Sequence, residues 1–143
     1  MNIQVAVLCD AATVENEKLN LLGAFDTIIT HQLPAVHPQC AVALRVTFTP
    51  GDEGRRALTI NFINADGRSI MPNFPQIPVE VALPEDLHFV TRNFTVSIQQ
   101  LQFPEAGLYS VDVRFDDVSR ASIPLLVKHV PPRPPEEAGG RQD

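Results

Sequence analysis

Alternation of apolar and polar residues with a period of two is the feature that most constrains the fold of this sequence. It is clearest at residues 40–49, where every second position from Cys40 to Phe48 is apolar. Successive side chains of a β-strand point to opposite faces, so this period predicts a strand with one face in the core. The same pattern, or a short β-branched run, recurs at 3–7, 18–23, 27–30, 58–62, 79–81, 90–98, 109–115 and 123–127. Intervening helical periods are absent, which argues against a fold that alternates strands with helices.

The spacing of these runs predicts an all-β fold, an antiparallel two-sheet β-sandwich of seven to nine strands formed by residues 1–130. We expect turns or loops at 10–17, 31–39, 50–54, 66–67 and 116–117, where turn-forming residues cluster. Residues 79–81 follow several prolines and are expected to form an edge strand. After Ile98 the apolar phase shifts by one residue to Leu101 and Phe103, which predicts a bulge or a strand end.

The alternation also predicts which side chains form the core between the two sheets. The apolar positions of the strands are Val5, Val7, Leu21, Val42, Leu44, Val46, Leu58, Ile60, Phe62, Phe94, Val96, Tyr109, Val111, Val113, Leu125 and Val127. A core of this size needs no metal or disulfide to stabilise a domain of this length.

Charge and apolar content exclude two classes of partner. The net charge is −6 and the eleven basic residues are spread along the chain, with one adjacent pair at Arg55 and Arg56. Nucleic acids and anionic membranes both require clustered basic residues, so neither is an expected partner. The sequence has no signal-peptide pattern and no apolar run near 20 residues, which predicts a cytoplasmic protein with Cys9 and Cys40 reduced.

The C-terminal segment 131–143 differs in composition from the rest of the chain. It contains four prolines, and its one apolar residue able to enter a core is Ala138. We expect a disordered tail with local polyproline II character. The run Pro131–Pro135 has the composition of a ligand for an aromatic groove, but a solubilising spacer is the favoured interpretation.

The run 105–111, EAGLYSV, resembles the tyrosine corner of immunoglobulin-like domains. Glu105, Gly107 and Tyr109 match the acidic-x-Gly-x-Tyr pattern, and Val111 stands where such domains place a disulfide cysteine. The resemblance implies an immunoglobulin-like β-sandwich in which the Tyr109 hydroxyl binds backbone a few residues upstream. The chain has no tryptophan for the conserved core position, which is a departure from the immunoglobulin family itself.

Residues 1–130 as a whole also resemble an uncharacterised bacterial family of small proteins that is classed as a domain of unknown function. The resemblance rests on Cys9-Asp10, on the run 18–26 (KLNLLGAFD) and on residues 107–109. It supports the fold and implies no activity.

The histidines are weak candidates for a metal or catalytic site. His31 and His37 are six residues apart in a proline-containing segment, which matches no common ligand spacing. With Asp26 they could form a weak site, but solvated loop histidines are the favoured interpretation.

The cysteines and the acidic turns are also weak candidates. Cys9 precedes Asp10, whose charge opposes thiolate formation, so Cys9 and Cys40 are predicted to be small buried hydrophobic residues. Calcium would require clustered loop carboxylates. The sequence contains no Asp-x-Asp-x-Asp loop, so its acidic residues in and near turns are predicted to be solvated. These residues are Asp52, Glu53, Asp112, Asp116 and Asp117.

These observations assign no catalytic, cofactor-binding or metal-binding residue, and they imply no cofactor. We therefore expect a non-enzymatic protein-interaction module whose partner is another protein chain or a second copy of itself. One alternative is a structural subunit of a homo-oligomer, with the segment Met71–Pro84 packed across a neighbour. The other is a small-ligand binder or enzyme that uses the His31–His37 loop.

Overall fold

The structure is a computed structural model that describes residues 1–71, 74 and 76–133. In this part of the chain there are nine β-strands, one 3-10 turn at Pro50–Asp52 and no α-helix. The strands are β1 (Asn2–Glu15), β2 (Lys18–Ala24), β3 (Thr27–Thr30), β4 (Ala35–Phe48), β5 (Gly54–Asn64), β6 (Ile77–Val81), β7 (Val90–Phe103), β8 (Gly107–Phe115) and β9 (Val118–His129). Residues 134–143 of the predicted tail lie outside the described residues.

The strands form two sheets, as the sequence predicted. One sheet has four strands in the order β2-β1-β4-β7, and the other has five in the order β3-β9-β8-β5-β6. Strand β6 lies at an edge, which confirms the expectation for residues 79–81. The prediction of wholly antiparallel pairing is wrong for β3, which runs parallel to β9.

The parallel pair arises from a two-residue crossover between the sheets. The N–H of Phe25 donates to the carbonyl oxygen of Leu8 (2.9 Å) in the four-stranded sheet. The N–H of Leu126 donates to the carbonyl oxygen of Asp26 (2.8 Å) in the five-stranded sheet. Strand β3 therefore starts beside Leu126 and continues along β9 in the same direction.

The core lies between the two sheets and contains the predicted residues of β4, β5, β8 and β9. Four phenylalanines are fully buried in it, and the rings of Phe48 and Phe115 meet edge to face with centroids 6.0 Å apart. The predicted core residues that are buried are Val42, Leu44, Val46, Leu58, Ile60, Phe62, Tyr109, Val111, Val113, Leu125 and Val127. Phe94 and Val96 are partly buried and pack against this cluster.

The prediction that Val5 and Val7 point into the core is wrong. A register shift between Ile3 and Val5 exchanges the faces of β1. After the shift Val5 pairs with Arg45 and both valines are only half-buried, whereas Leu8 pairs with Val42 and is 1% exposed. Such a shift moves every following side chain to the other face, which explains the exchange.

The predicted turn at 10–17 is instead the end of the first strand of a β-hairpin together with the hairpin turn. Strand β1 continues to Glu15, and the turn consists of Asn16 and Glu17, both in the left-handed region with φ of 50° and 63°. We call residues 10–23 of this hairpin the strap. The prediction that Leu21 is a core residue is also wrong, because it lies on the strap and is 40% exposed.

The strap crosses the outer face of the four-stranded sheet. At its tip, the carbonyl oxygen of Glu17 accepts hydrogen bonds from Asn93 Nδ2 (2.9 Å) and Arg45 Nη1 (3.3 Å), which belong to β7 and β4. Closer to its base, Ala12 and Leu19 pack against a small buried cluster of Cys9, Ala41 and Ala43. The small side chains of this cluster leave room for the strap to lie close to the sheet.

Gly23 lies at the bend where the strap leaves the sheet. Its φ of +69° is in the left-handed region, and a Cβ atom there would collide with the carboxylate of Asp10. Glycine is the residue that meets both conditions, since it adopts positive φ readily and has no side chain. The bend therefore depends on this residue.

The predicted loop at 31–39 is shorter in the structure, because β4 begins at Ala35 and contains Pro38. Pro38 faces Gln100 of β7, which has a φ of 55°, between the pairs His37–Leu101 and Gln39–Gln99. The apolar phase shifts there, as predicted. The predicted bulge or strand end is absent here, however. Strand β7 continues without an extra residue, because β4 and β7 both change face between these two pairs.

Candidate functional site

The histidine residues are not brought together into one site. His31 Nδ1 lies 2.9 Å from the carbonyl oxygen of Val130, and His129 Nε2 lies 3.2 Å from that of His31, so these two histidines join the ends of β3 and β9. His37 belongs to β4, and its ring lies 5.5 Å from that of Phe25. Asp26 accepts a hydrogen bond from Thr27 Oγ1 (3.0 Å).

A groove of ≈ 380 Å³ contains His37 together with Asp10, Phe25 and Ile28. His31 and Asp26 do not line it. The weak site considered for His31, His37 and Asp26 is therefore not assembled, since only one of its three residues reaches the groove.

Both cysteines are free thiols inside the domain. Burial is the main cause that raises the pKa of Cys9, followed by the charge of Asp10. Burial also raises the pKa of Cys40 to about 11, with further contributions from Cys9 and Asp10. A nucleophilic cysteine needs the opposite shift, since the thiolate is the reactive form. The environment of both residues fits small buried hydrophobic side chains.

Two of the acidic residues considered for calcium, Asp112 and Asp116, are engaged by neighbouring groups of the protein. Asp112 contacts Arg114 Nε and accepts a hydrogen bond from Ser119 Oγ (2.7 Å). Asp116 accepts hydrogen bonds from the N–H of Ala57 (2.9 Å) and from Arg56 Nη1 (3.0 Å). These carboxylates stabilise the turn between β8 and β9, and their oxygens accept from arginine, serine hydroxyl and backbone donors.

The four sheet edges differ strongly in length and protection. Strand β3 has four residues, β6 has five and includes Pro78, and β2 has seven and bends at Gly23. Strand β7 has 14 residues without proline and, among the described strands, pairs only with β4. Natural proteins protect edge strands by short length, proline, charge or distortion, because an open edge pairs readily with another chain. Strand β7 is the longest edge in the described part of the molecule.

Protection on β7 is confined to its two ends. Arg92 donates from Nη1 to the carbonyl oxygen of Glu80 (2.9 Å) and lies over the ring of Phe94, 5.8 Å from its centroid. Gln100 distorts the strand with its positive φ. Between them lie residues 93–99 (NFTVSIQ), which we call the open edge segment and which contain no charged residue. Beyond the β4 ladder, the backbone of this segment makes no hydrogen bond to any described residue.

Two inward-pointing side chains of the open edge segment are less buried than their partners on β4, whereas the third, Ile98, is 6% exposed. Phe94 and Val96 point into the core and pair with Leu44 and Val42, which are both fully buried. Phe94 and Val96 themselves are only half-buried. Inward-pointing residues of an edge strand remain partly exposed when no further strand covers them. Thr95 and Ser97 point outward and are exposed.

Sequence reasoning placed an edge at residues 79–81 and overlooked β7. Its alternation is as regular as that of the interior strand β4, and alternation by itself does not tell an edge from an interior position. Two features could have indicated the edge: Arg92 at a position that faces inward, and the three exposed polar residues Thr95, Ser97 and Gln99 on one face.

Two sheets packed on one apolar core, with a long open edge strand, define a small all-β domain. The chain belongs to the family of unknown function DUF6941, whose sequence model matches residues 4–128. This confirms the resemblance to an uncharacterised family. No curated protein and no solved structure matches the chain. In the described residues, no helix has the length and apolar character that crossing a membrane requires.

Proposed function

We propose that this protein is a non-enzymatic protein-interaction module that binds an extended strand at the open edge segment of β7. The observation that carries the proposal is the edge at residues 93–99, which pairs with no described strand other than β4 and lies next to the half-buried Phe94 and Val96. An added strand would supply hydrogen-bond partners for the free backbone groups and cover both side chains. Strand addition of this kind is a common mode of peptide recognition.

The surroundings of the segment favour this edge over the neighbouring sheet face. The strap covers part of the outer face of β4, with its tip bound to Arg45 and Asn93. A groove of ≈ 510 Å³ beside the tip is lined by Val14, Phe89 and the first residues of β7. Phe89 is 58% exposed there, so an incoming chain has an apolar contact next to the edge.

Paired lysines at exposed positions test the proposal by affinity capture from native lysate. The variant Thr95→Lys/Ser97→Lys places two charges on the edge, and Ala11→Lys/Thr13→Lys places the same two charges at the same spacing on the exposed side of the strap. Charges on an edge strand hinder strand addition. We expect the wild type and the strap variant to retain the same partner and the edge variant to lose it.

Equal retention by all three proteins would contradict the proposal. A chain that ends at Val130 adds a control for the proline-rich tail. Loss of the partner with this shortened chain, together with full retention by the edge variant, would assign binding to the tail instead.

The proposed architecture is an immunoglobulin-like sandwich. In that fold, strands B and E of one sheet face strands C, F and G of the other. Strands β4 and β7 occupy neighbouring positions as B and E do, and β5, β8 and β9 follow the order C, F and G. Tyr109 at the start of the F-equivalent strand adds support. An experimental structure with a different neighbour order among these five strands would contradict the proposal.

The proposed location is the cytoplasm, and the proposed source is a bacterial cell, which the family resemblance implies. Two free, buried thiols support it, because oxidising compartments favour disulfides. Alkylation of thiols in intact cells, followed by a non-reducing gel, tests this location. We expect both cysteines to be recovered reduced in the cytoplasmic fraction, and recovery from an exported fraction would contradict it.

A further inference from the structure

The open edge segment has a sequence that is chemically symmetric about its centre. Reading outward from Val96, hydroxyl residues Thr95 and Ser97 come first, then the apolar residues Phe94 and Ile98, then the amides Asn93 and Gln99. A strand with such a pattern is complementary to itself when a second copy runs antiparallel, because each residue type then faces its own kind.

From this symmetry we propose that the partner is a second copy of this chain, paired antiparallel through β7 about a two-fold axis at Val96. Phe94 of one copy then lies opposite Ile98 of the other, and Thr95 lies opposite Ser97. The inference rests on the proposed function, since both use the same edge, and it adds the identity of the partner. Two four-stranded sheets become one continuous eight-stranded sheet.

The pairing agrees with what cross-strand contacts require. Aromatic residues opposite β-branched residues and pairs of hydroxyl residues both stabilise antiparallel strands. Two-fold interfaces use the same patch on both copies, and that patch must be self-complementary. Each apolar side chain of the segment points to the core face and each polar one to the outer face, so the pairing keeps both faces consistent.

The ends of the segment fit the same register. Continued by one residue, the pairing places Arg92 of one copy opposite Gln100 of the other, where the positive φ of Gln100 ends regular strand geometry. Arg92 is the only charged residue of β7, and this register does not bring it near its own copy across the axis. The ladder between the two copies of β7 therefore ends on both sides without placing two like charges opposite each other.

A single strand pair buries less surface than most stable dimers, so we expect a reversible dimer whose population depends on concentration. The net charge of −6 on each copy opposes association at long range. Salt screens this repulsion, and higher salt should therefore favour the dimer.

Analytical ultracentrifugation of the full chain with three designed variants tests the proposal. We expect the wild type to shift from 15.7 kDa towards twice that mass as the concentration rises. Thr95→Lys/Ser97→Lys places lysines opposite each other at two symmetric positions and should weaken dimerisation by at least about tenfold. Thr95→Lys/Ser97→Glu places opposite charges across the same positions and should restore it. Ala11→Lys/Thr13→Lys should dimerise as the wild type does.

A wild-type protein that stays monomeric at near-millimolar concentration would overturn the proposal. So would a dimer that Thr95→Lys/Ser97→Lys leaves intact, or one that Thr95→Lys/Ser97→Glu fails to restore. Circular dichroism of each variant confirms that it is folded. If the chain is monomeric but its open edge segment is protected from hydrogen exchange by a captured partner, the interaction function stands and only the dimer is overturned.

Discussion

The Tyr109 hydroxyl donates a hydrogen bond to the carbonyl oxygen of Glu105 at 2.7 Å. The bond closes the bend that leads from β7 into β8, and the ring packs edge to face against Phe103 with centroids 5.0 Å apart. The resemblance of residues 105–111 to a tyrosine corner implied this contact.

Removal of this hydroxyl group should lower stability. In Tyr109→Phe the ring keeps its packing, but the carbonyl of Glu105 loses its donor, so we expect a loss of about 1 kcal/mol in the free energy of unfolding. Urea denaturation followed by circular dichroism measures it. An unchanged midpoint would show that the bond contributes nothing to the folded state.

A side chain at position 23, in the bend of the strap, should lower the stability of the fold. Gly23→Ala combines a positive φ with a collision against Asp10, and we expect a loss of at least about 1 kcal/mol by urea denaturation. Gly51→Ala is the matched control, since a Cβ atom at that position meets no atom within 4 Å. Adding Asp10→Gly should recover part of the loss. Equal stability of the two alanine variants would contradict this account of the bend.

Asp116 should make stability depend on pH in the acidic range. The N–H of Ala57, and then the guanidinium of Arg56, lower the pKa of Asp116. Because the folded-state pKa is the lower one, the stabilisation is present above the usual aspartate pKa of 3.8 and is lost as the pH falls through the folded-state value.

The test compares Asp116→Asn with the wild type at neutral and acidic pH. Asparagine tolerates the φ of 52°, so the turn is retained and only the charge is lost. We expect the variant to be less stable at neutral pH, with the difference decreasing in acid and in high salt, since the site is partly exposed. Asp66→Asn at an exposed turn is the control. A difference that does not vary with pH would contradict the role of the charge.

Cys40 should make stability depend on pH in the alkaline range. Its pKa of about 11 exceeds the usual value of 9.0, so its contribution is complete below pH 9.0 and is lost as the pH rises towards 11. The variant Cys40→Ala lacks this loss. We therefore expect the stability difference between the wild type and the variant to become smaller between pH 9.0 and about 11 in urea titrations. A constant difference would show that the thiol ionises equally in both states.

Local alternation was sufficient to predict most strands, and tertiary packing accounts for what it missed. The β-branched run at 27–30 coincides with β3, and the core positions of β4, β5, β8 and β9 followed from their period. Residues 10–15 appeared turn-like because they are mostly small or polar. They form a strand because the strap lies on the outer face of its own four-stranded sheet and needs little apolar surface of its own.

The candidate site was harder to predict for a related reason. The edge position of β7 is decided by the order of strands in the sheet, and a single strand does not encode which neighbours it has. The symmetry of residues 93–99 is readable in the sequence, but it acquires a meaning only when the segment is known to lie on an open edge.

Amide hydrogen exchange at residues 93–99, measured at low and high protein concentration, tests the central claim most directly. Alternate N–H groups of an edge strand point away from the sheet and exchange quickly unless another strand binds them. We predict that these amides become protected as the concentration rises, in the wild type and in Ala11→Lys/Thr13→Lys but not in Thr95→Lys/Ser97→Lys. Rapid exchange at every concentration in all three proteins would contradict pairing of this edge with a second copy.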